Sequence, residues 1–265
     1  MTSGPFGGVV MGLTYSPTNS KTRLLAEHFP GEDLTGKWAM VGFSLPAGWS
    51  CGQALTCLSK SDRATGKISD GPQVEFRCWA ASLEARLPNI RANYWNNFDQ
   101  LRACNSVEEM VALLTEPLPL STRICRIHVH GDFYNPMYFS AWLEVARQRP
   151  GTLFYAYTKS LPFWVERFGQ IPDNLELNAS VGGTHDHLIK EHDLKSATVV
   201  YHPDVAEGMG LPIDTDEWYA ALGTESFALL INGTQPAGSQ AGKALQFLRA
   251  KKIHGGYSDT AVRYV

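Results

Sequence analysis

The sequence has no apolar run that approaches the roughly 18 residues needed for a membrane-spanning helix. Its start, MTSGPFGGVV, lacks the basic and apolar regions of a signal peptide. Basic residues are not in excess, since 23 Lys and Arg stand against 26 Asp and Glu, for a net charge of -3. Extended nucleic-acid binding needs such an excess to replace phosphate counterions. These absences predict a cytoplasmic protein with no membrane partner and give no indication of nucleic acid.

The composition is that of an ordinary globular protein, with 44% hydrophobic and 18% charged residues in a chain of 265. No internal repeat or low-complexity tract is present. The chain has five cysteines, an odd number, and in the cytoplasm these are better interpreted as thiols or metal ligands than as disulfides. Cys125 lies in an apolar segment and is predicted to be a core residue. Cys104, at the end of a predicted helix, remains undecided.

The other three cysteines lie in one stretch, Phe43–Ala81, after an apolar run that predicts a strand. They are Cys51, Cys57 and Cys78. The tight C-x2-C knuckle of many zinc sites is absent, and the spacing matches no standard code. Three thiolates that leave one iron open suit an iron–sulfur cluster that binds a small ligand. The spacing alone leaves three possibilities: separate thiols, a zinc site or a cluster.

Short apolar runs alternate with helical patterns along most of the chain, which predicts parallel βαβ units. The predicted strands are Trp38–Phe43, Ile124–Val129, Thr152–Tyr157, Leu175–Val181, Ala197–His202 and Phe227–Ile231, with a last short strand within Ile253–Val265. Six strands suit a partial (βα)6 TIM-like barrel, and a doubly wound sheet has the same alternation. We expect residues 1–36 to form an N-terminal extension. Residues 37–265 are expected to form one (βα) barrel domain, with a cysteine-bearing insertion at 51–78.

Polar or titratable residues follow every predicted strand, and the carboxyl ends of parallel strands meet on one rim where ligands bind. Strand alternation predicts that Arg126, His128 and His130 share one face. Two such histidines suit metal ligands, a proton relay or hydrogen-bonded residues that line a barrel. Lys159 suits either a partner for a ligand carboxylate or phosphate or a solvated loop lysine. The residues expected at the rim are His128, His130, Tyr157, Lys159, Asn178, Ser180 and His202.

Three long motifs resemble the phage and bacterial family named for gene product 88. They are FSLPAGWSC…CLSKSDRATGKISDGPQVEFRCWAAS, RIHVHGDFYNPMYFSAW and FYAYTKS, and the resemblance covers roughly residues 41–181. That family is found mainly in bacteriophage genomes, so the resemblance implies a protein that acts in a host bacterial cytoplasm. The family name carries little information about activity.

The order of features also resembles the radical S-adenosylmethionine (SAM) superfamily. There, a loop with three cluster-binding cysteines follows the first strand, and a GGE-type motif that contacts the SAM amino group ends the second. His130-Gly131-Asp132-Phe133-Tyr134-Asn135-Pro136 is similar to that motif, with Asp in place of Glu. Thr158 and Ser180 stand where the superfamily has polar residues after its third and fourth strands. In contrast to the superfamily's short C-x3-C-x2-C loop, twenty residues separate Cys57 from Cys78 here.

The resemblance implies a 4Fe-4S cluster held by Cys51, Cys57 and Cys78, whose open iron binds SAM. Reductive cleavage of SAM would give a radical that abstracts hydrogen from an unknown substrate. We assign His128, His130 and Lys159 to catalysis. The residues assigned to cofactor binding are Gly131, Asp132, Thr158, Asn178, Ser180 and His202.

Two other hypotheses remain open. The first is a non-catalytic iron–sulfur protein that senses redox state or binds a host partner, with Cys104 or a histidine as the fourth cluster ligand. The second is a zinc-stabilised binding module. The sequence does not identify a substrate.

Overall fold

A seven-stranded, mostly parallel β-sheet forms the centre of this α/β protein. The computed structural model describes residues 12–17, 20–253 and 255. The sheet strands are β1 (Ser16–Pro17), β2 (Met40–Ser44), β5 (Ile124–His130), β6 (Leu153–Thr158), β7 (Leu175–Ser180), β8 (Ser196–Val200) and β9 (Phe227–Leu230). A separate antiparallel hairpin consists of β3 (Ser59–Ser61) and β4 (Ile68–Asp70).

The strand order in the sheet is β1-β2-β5-β6-β7-β8-β9, and all neighbours are parallel except β1 and β2. The order therefore follows the chain without the reversal that a doubly wound sheet has at its switch point. All six predicted strands are confirmed, and each bound lies within two residues of its predicted position. The edge strand β1 is not predicted by the sequence pattern, because two residues are too few to form a period.

The helices alternate with the strands as the sequence predicts. They are α1 (Ser20–Leu25), α2 (Trp79–Arg86), α3 (Pro88–Ala103), α4 (Val107–Thr115), α5 (Pro136–Gln148), α6 (Leu161–Val165), α7 (His187–Glu191), α8 (Pro203–Gly208), α9 (Trp218–Ala221) and α10 (Gln240–Ala250). Short 3-10 helices occupy Ala26–His28 and Phe168–Gln170. Ser106 is the N-cap of α4, since its side chain accepts a hydrogen bond from the amide of Glu109.

The two faces of the sheet are covered differently. One face packs against α3, α4, α5 and α6 in the largest apolar cluster, which contains Phe43, Cys125, Phe154 and Trp142. On the other face, α1 and α9 form a smaller cluster with Met40, Ile124 and Tyr155 near the amino ends of the strands. Because these elements cover only that end, the carboxyl end of this face is left for the cysteine segment and a cavity.

The described part of the segment before residue 37, residues 12–17 and 20–36, belongs to this fold. It supplies β1, which pairs with β2, and α1, whose Leu25 is fully buried in the smaller cluster. The strand predicted within Ile253–Val265 lies largely outside the described residues. Among the helices of the described ranges, none is both long and apolar enough to cross a bilayer.

Candidate metal and ligand site at the strand ends

A cavity of about 180 Å³ lies at the carboxyl ends of the parallel strands. All three cysteines of the predicted site line it, together with residues at the carboxyl ends of β5, β6 and β7. The polar lining residues include Cys51, Cys57, Cys78, Arg77, Arg126, His130, Asp132, Thr158, Lys159 and Ser180. Val199, Leu229 and Ile231, on or next to β8 and β9, form an apolar wall. The cavity therefore brings together segments that lie far apart in the chain.

The long insertion between Cys57 and Cys78 folds back on itself. The amide of Gly71 donates to the carbonyl of Leu58 at 2.7 Å, and the amide of Glu75 donates to the carbonyl of Thr56 at 2.8 Å. The β3–β4 hairpin occupies most of the residues in between. Because the insertion leaves and returns at the same place, its twenty residues do not carry Cys78 away from Cys57.

The cysteine segment is also fixed to the end of β7. The amides of Leu55 and Thr56 both donate to the carbonyl of Gly182, at 3.0 and 3.1 Å. Gly182 has a φ of +99°, and a Cβ there would collide with the Thr56 hydroxyl. Glycine is needed at this position both for its backbone conformation and for the close approach of the segment.

Cys51 and Cys78 are half-buried, and desolvation of their thiols raises the pKa of both. The pKa of Cys78 rises to about 12, with a further contribution from the neighbouring Cys57. The charges of Cys78 and Cys57 likewise raise the pKa of Cys51. The three sulfurs are therefore close enough to influence one another electrostatically.

Backbone amides oppose this rise at two of the thiols. The Gly48 amide donates to Cys51 Sγ at 3.3 Å. Cys78 is the N-cap of α2, and the amides of Ala80 and Ala81 lower the pKa of its thiol. Such donors at a helix N-terminus stabilise a thiolate. Nevertheless, within the described part of the chain no group of three or more His, Cys, Asp and Glu side chains converges so that it could hold a metal ion.

Asp132 is buried beside the thiols and is held by three hydrogen bonds. Its Oδ1 accepts from the Thr158 hydroxyl at 2.6 Å and from the Phe133 amide at 2.7 Å, and its Oδ2 accepts from the Lys159 amide at 2.8 Å. Burial raises the pKa of this carboxyl to about 6, although these donors oppose the rise. The carboxyl joins the end of β5 to the end of β6.

Gly131, which precedes this carboxyl, has a φ of +89°. A Cβ at this position would lie 2.6 Å from Ser50 Oγ and 2.8 Å from Leu45 Cβ. The close approach of the cysteine segment to the end of β5 therefore requires glycine here.

Lys159 connects β6 to β7 in a similar way. Its ammonium donates to the Ser180 carbonyl at 3.0 Å, to the Ser180 hydroxyl at 2.6 Å and to the Val181 carbonyl at 2.8 Å. These three bonds use all three N–H groups of the ammonium. A ligand carboxylate or phosphate would have to displace one of them in order to bind Lys159.

His130 is placed at the cavity as predicted. Its Nδ1 lies 3.2 Å from Glu84 Oε1, and the edges of Trp79 and Tyr94 pack against its ring. Burial lowers the pKa of His130, and the Glu84 carboxylate opposes that shift.

His128 also lines the cavity, but its ring packs on the helix side of β5, which differs from the prediction of a face shared with Arg126 and His130. Its Nε2 lies 3.0 Å from the hydroxyl of Tyr138 on α5, and its ring packs against Phe133 in the helix-side core. His128 has a φ of +60°. Three residues of β5, 127–129, lie opposite the single residue Phe43 of β2 between two paired positions. This bulge breaks the alternation of side chains. Burial also lowers the pKa of His128 to about 3.

Two predicted cofactor-binding residues do not line the cavity. Asn178 is buried and donates to the carbonyls of Ala156 and Ala220, so it joins β6 to α9. His202 caps α8 by accepting a hydrogen bond from the amide of Asp204, and its ring packs against Phe247.

The two remaining cysteines also lie away from the cavity. Cys125 is buried in the helix-side core, as predicted. Cys104 lies at the end of α3 and packs at the edge of that same core. The structure therefore does not bring the suggested fourth ligand Cys104 to the three thiols.

Two buried carboxylates at the site are not singled out by the sequence. Glu217 pairs with Arg126 on the cavity wall at 3.0 Å and accepts a hydrogen bond from the Tyr157 hydroxyl at 3.3 Å. Glu84 pairs with His130. The weak signal for Glu84 is its place six residues after Cys78 on the same helix, whereas Glu217 has no local signal.

Comparison with known proteins identifies relatives by sequence. A family model described as gene product 88 matches residues 15–251. The gene 88 protein of Mycobacterium phage L5 is 27% identical over 172 residues, which cover 62% of this chain and 67% of the relative. The gene 88 protein of Mycobacterium phage D29 is 26% identical over the same shares. No solved structure matches significantly.

Proposed function

The chain belongs to the gene product 88 family, and from its three-thiol cavity we propose that it is an iron–sulfur protein. Cys51, Cys57 and Cys78 hold a 4Fe-4S cluster at the mouth of a radical-SAM-like partial (βα)6 barrel. The site works in the cytoplasm of a bacterial host, as the relatives' phage origin suggests. The shared lining of one cavity by these three thiols is the observation that carries the proposal.

The arrangement of the thiols favours a cluster over a single zinc ion. Ligands of one zinc ion all lie about 2.0–2.3 Å from the metal and so converge on one point. The described side chains do not converge in this way. Each thiolate of a cluster binds a different iron, so cluster ligands surround a volume instead. Three thiols that line one cavity, in which Cys57 raises the pKa of both Cys51 and Cys78, suit the second case.

When bound, a cluster with three protein ligands supplies an open iron and one-electron chemistry, including reductive cleavage of SAM by an electron from an external reductant. The chain itself fixes the thiols. The Gly48 amide and the N-terminus of α2 direct N–H groups at Cys51 and Cys78 and so favour their thiolates. The apolar wall from β8 and β9 excludes water from one side of the cavity.

The geometry of Asp132 gives weight to a second candidate, a non-catalytic cluster protein that senses redox state or binds a host partner. The resemblance assigns this carboxyl to the SAM amino group, but it already accepts three hydrogen bonds from the chain. One lone-pair position on Oδ2 remains for an amino group. SAM binding therefore requires that position to face the cavity.

Metal analysis after anaerobic purification tests the cluster directly. We expect a brown protein with about four irons and four sulfides per chain. Replacement of Cys51, Cys57 or Cys78 by Ala should each remove most of the iron. Cys125→Ala and Cys104→Ala are matched controls, because each removes a thiol that lies away from the cavity. Both variants should retain the iron. Stoichiometric zinc without iron would refute the cluster and support a zinc-stabilised module.

A second assay separates the two cluster candidates. The reconstituted protein is incubated with dithionite and SAM, and 5′-deoxyadenosine is measured by chromatography. Its release from the wild type, and its loss in Cys57→Ala, would support SAM cleavage. A loaded cluster with neither 5′-deoxyadenosine nor measurable SAM binding would leave the non-catalytic candidate.

A further inference from the structure

Glu84 is a fully buried carboxylate next to the cysteine cavity. Its Oε1 accepts a hydrogen bond from the Ala47 amide at 2.9 Å and lies 3.2 Å from His130 Nδ1. Within the described residues its Oε2 is buried and has no hydrogen-bond partner. Buried polar atoms rarely lack a partner, so the chain leaves this carboxylate incompletely compensated.

The other carboxylates around the cavity each have a cation nearby. Glu217 pairs with Arg126 and Asp70 pairs with Arg77, and Lys159 acts on Asp132 through its charge. Glu84 faces only the imidazole of His130, and burial holds the pKa of that ring below its usual value. Among the described residues, no Lys or Arg forms an ion pair with the Glu84 carboxylate. An uncompensated buried charge is costly, and a bound cation would remove that cost.

The ring of His130 is oriented by three contacts. Trp79 and Tyr94 pack edgewise against it, with ring centroids 4.7 and 4.8 Å away, and Glu84 faces Nδ1. A carboxylate at Nδ1 favours the tautomer with hydrogen on Nδ1, which leaves Nε2 as an acceptor. Within the described part of the chain, Nε2 has no hydrogen-bond partner. His130 lines the cysteine cavity and also a second cavity of about 230 Å³, which shares Trp79, Arg126 and Val129 as lining residues.

We propose that Glu84 and His130 form a recognition site for the protonated amine of a small ligand. Nε2 of His130 accepts an N–H of the ammonium group, and the charge of Glu84 stabilises the cation. Glu84 acts as a positioning residue through His130, and it also balances the ligand's charge. The site shares a cavity with the proposed cluster, but neither the inference nor its test depends on a cluster.

NMR of the full chain labelled with ¹⁵N-histidine tests both parts of this inference. Proton–nitrogen correlation spectra should show His130 with hydrogen on Nδ1 and a bare Nε2, and His130→Gln identifies its signals. Propylammonium should then shift the Nε2 resonance in a saturable way. Neither 1-propanol nor propionate, probes of similar size, should produce that shift.

A charge-removing variant separates recognition from structure. Glu84→Gln retains an oxygen for the Ala47 amide but removes the charge, so propylammonium should bind roughly tenfold more weakly or not at all. Glu176→Gln removes a carboxylate away from the cavity and should leave the binding unchanged. His128 serves as an internal control, because its contact with Tyr138 is independent of Glu84.

Two results would overturn the inference, and both come from the wild type, so they do not depend on a variant that folds. The first is hydrogen on Nε2 of His130 in the free protein. The second is a response to propylammonium no larger than that to 1-propanol. A protein that binds propylammonium but contains no iron or sulfide after anaerobic purification would support this inference while counting against the proposed function.

Discussion

The buried carboxyl of Asp132 should make the stability of the protein depend on pH in an unusual direction. A carboxyl that is salt-bridged on a surface has a lowered pKa and stabilises the fold as pH rises. In contrast, burial raises the pKa of Asp132 from 3.8 to about 6. The folded state therefore binds a proton more tightly than the unfolded chain. The stabilisation is fully present below about pH 4 and is lost as pH rises through 6.

The size of this effect follows from the shift. One pKa unit corresponds to about 1.36 kcal/mol, so a shift of about two units contributes roughly 3 kcal/mol over the full range. About two-thirds of this change falls between pH 4.5 and 7. Other titrating groups contribute to the same pH range, so the contribution of Asp132 has to be isolated with a variant that does not titrate there.

The contribution of Asp132 is isolated by measuring the free energy of unfolding in urea for the wild type and for Asp132→Asn between pH 4.5 and 7. Asn leaves the Lys159 amide without its charged acceptor, so the variant should be less stable at pH 4.5. The difference should then shrink by about 2 kcal/mol towards pH 7, because only the wild type loses stability through this group. A constant difference would refute the reasoning. A difference that grows with pH would show that the hydrogen bonds and Lys159 outweigh burial.

Two further substitutions test how the strand ends are joined. Gly182→Ala should lower the free energy of unfolding by about 1–3 kcal/mol, because it strains a positive φ and collides with Thr56. A Cβ at Gly169 meets open space, so Gly169→Ala should change the free energy of unfolding little in the same urea assay. Equal losses in the two variants would contradict the close packing of the cysteine segment on Gly182. Lys159→Met should cost about 2 kcal/mol or more, because it leaves acceptors at the end of β7 without donors. The exposed Lys67→Met is its control, and equal unfolding midpoints would show that the three bonds contribute nothing.

Local sequence patterns predict most of the elements of this fold. Runs such as Ile124–Val129 and Phe227–Ile231 form strands because they are short, apolar and bounded by polar turns. Likewise Ser106 caps α4 through a pairing of neighbouring residues. The choice between a doubly wound sheet and a sequential one could not be made in this way. Strand order depends on which strands pair, and each linear pattern is compatible with both orders.

At the site, the sequence identifies the three thiols, Asp132 and Lys159 by their positions after strands. It does not predict the face of His128, because the bulge in β5 arises from the pairing of β5 with β2. It also does not predict Glu84, whose role depends on the packing of α2 against the end of β5.

The sequence by itself thus determines the alternating strands and helices, the grouping of three cysteines in one segment and the polar residues after each strand. All of these are set by residues close together in the chain. Tertiary structure alone decides that the insertion closes on itself and brings Cys78 to the same cavity as Cys51 and Cys57. It also decides that Glu84 faces His130 across a buried contact. These outcomes depend on hydrogen bonds and packing between distant segments, which no local pattern encodes.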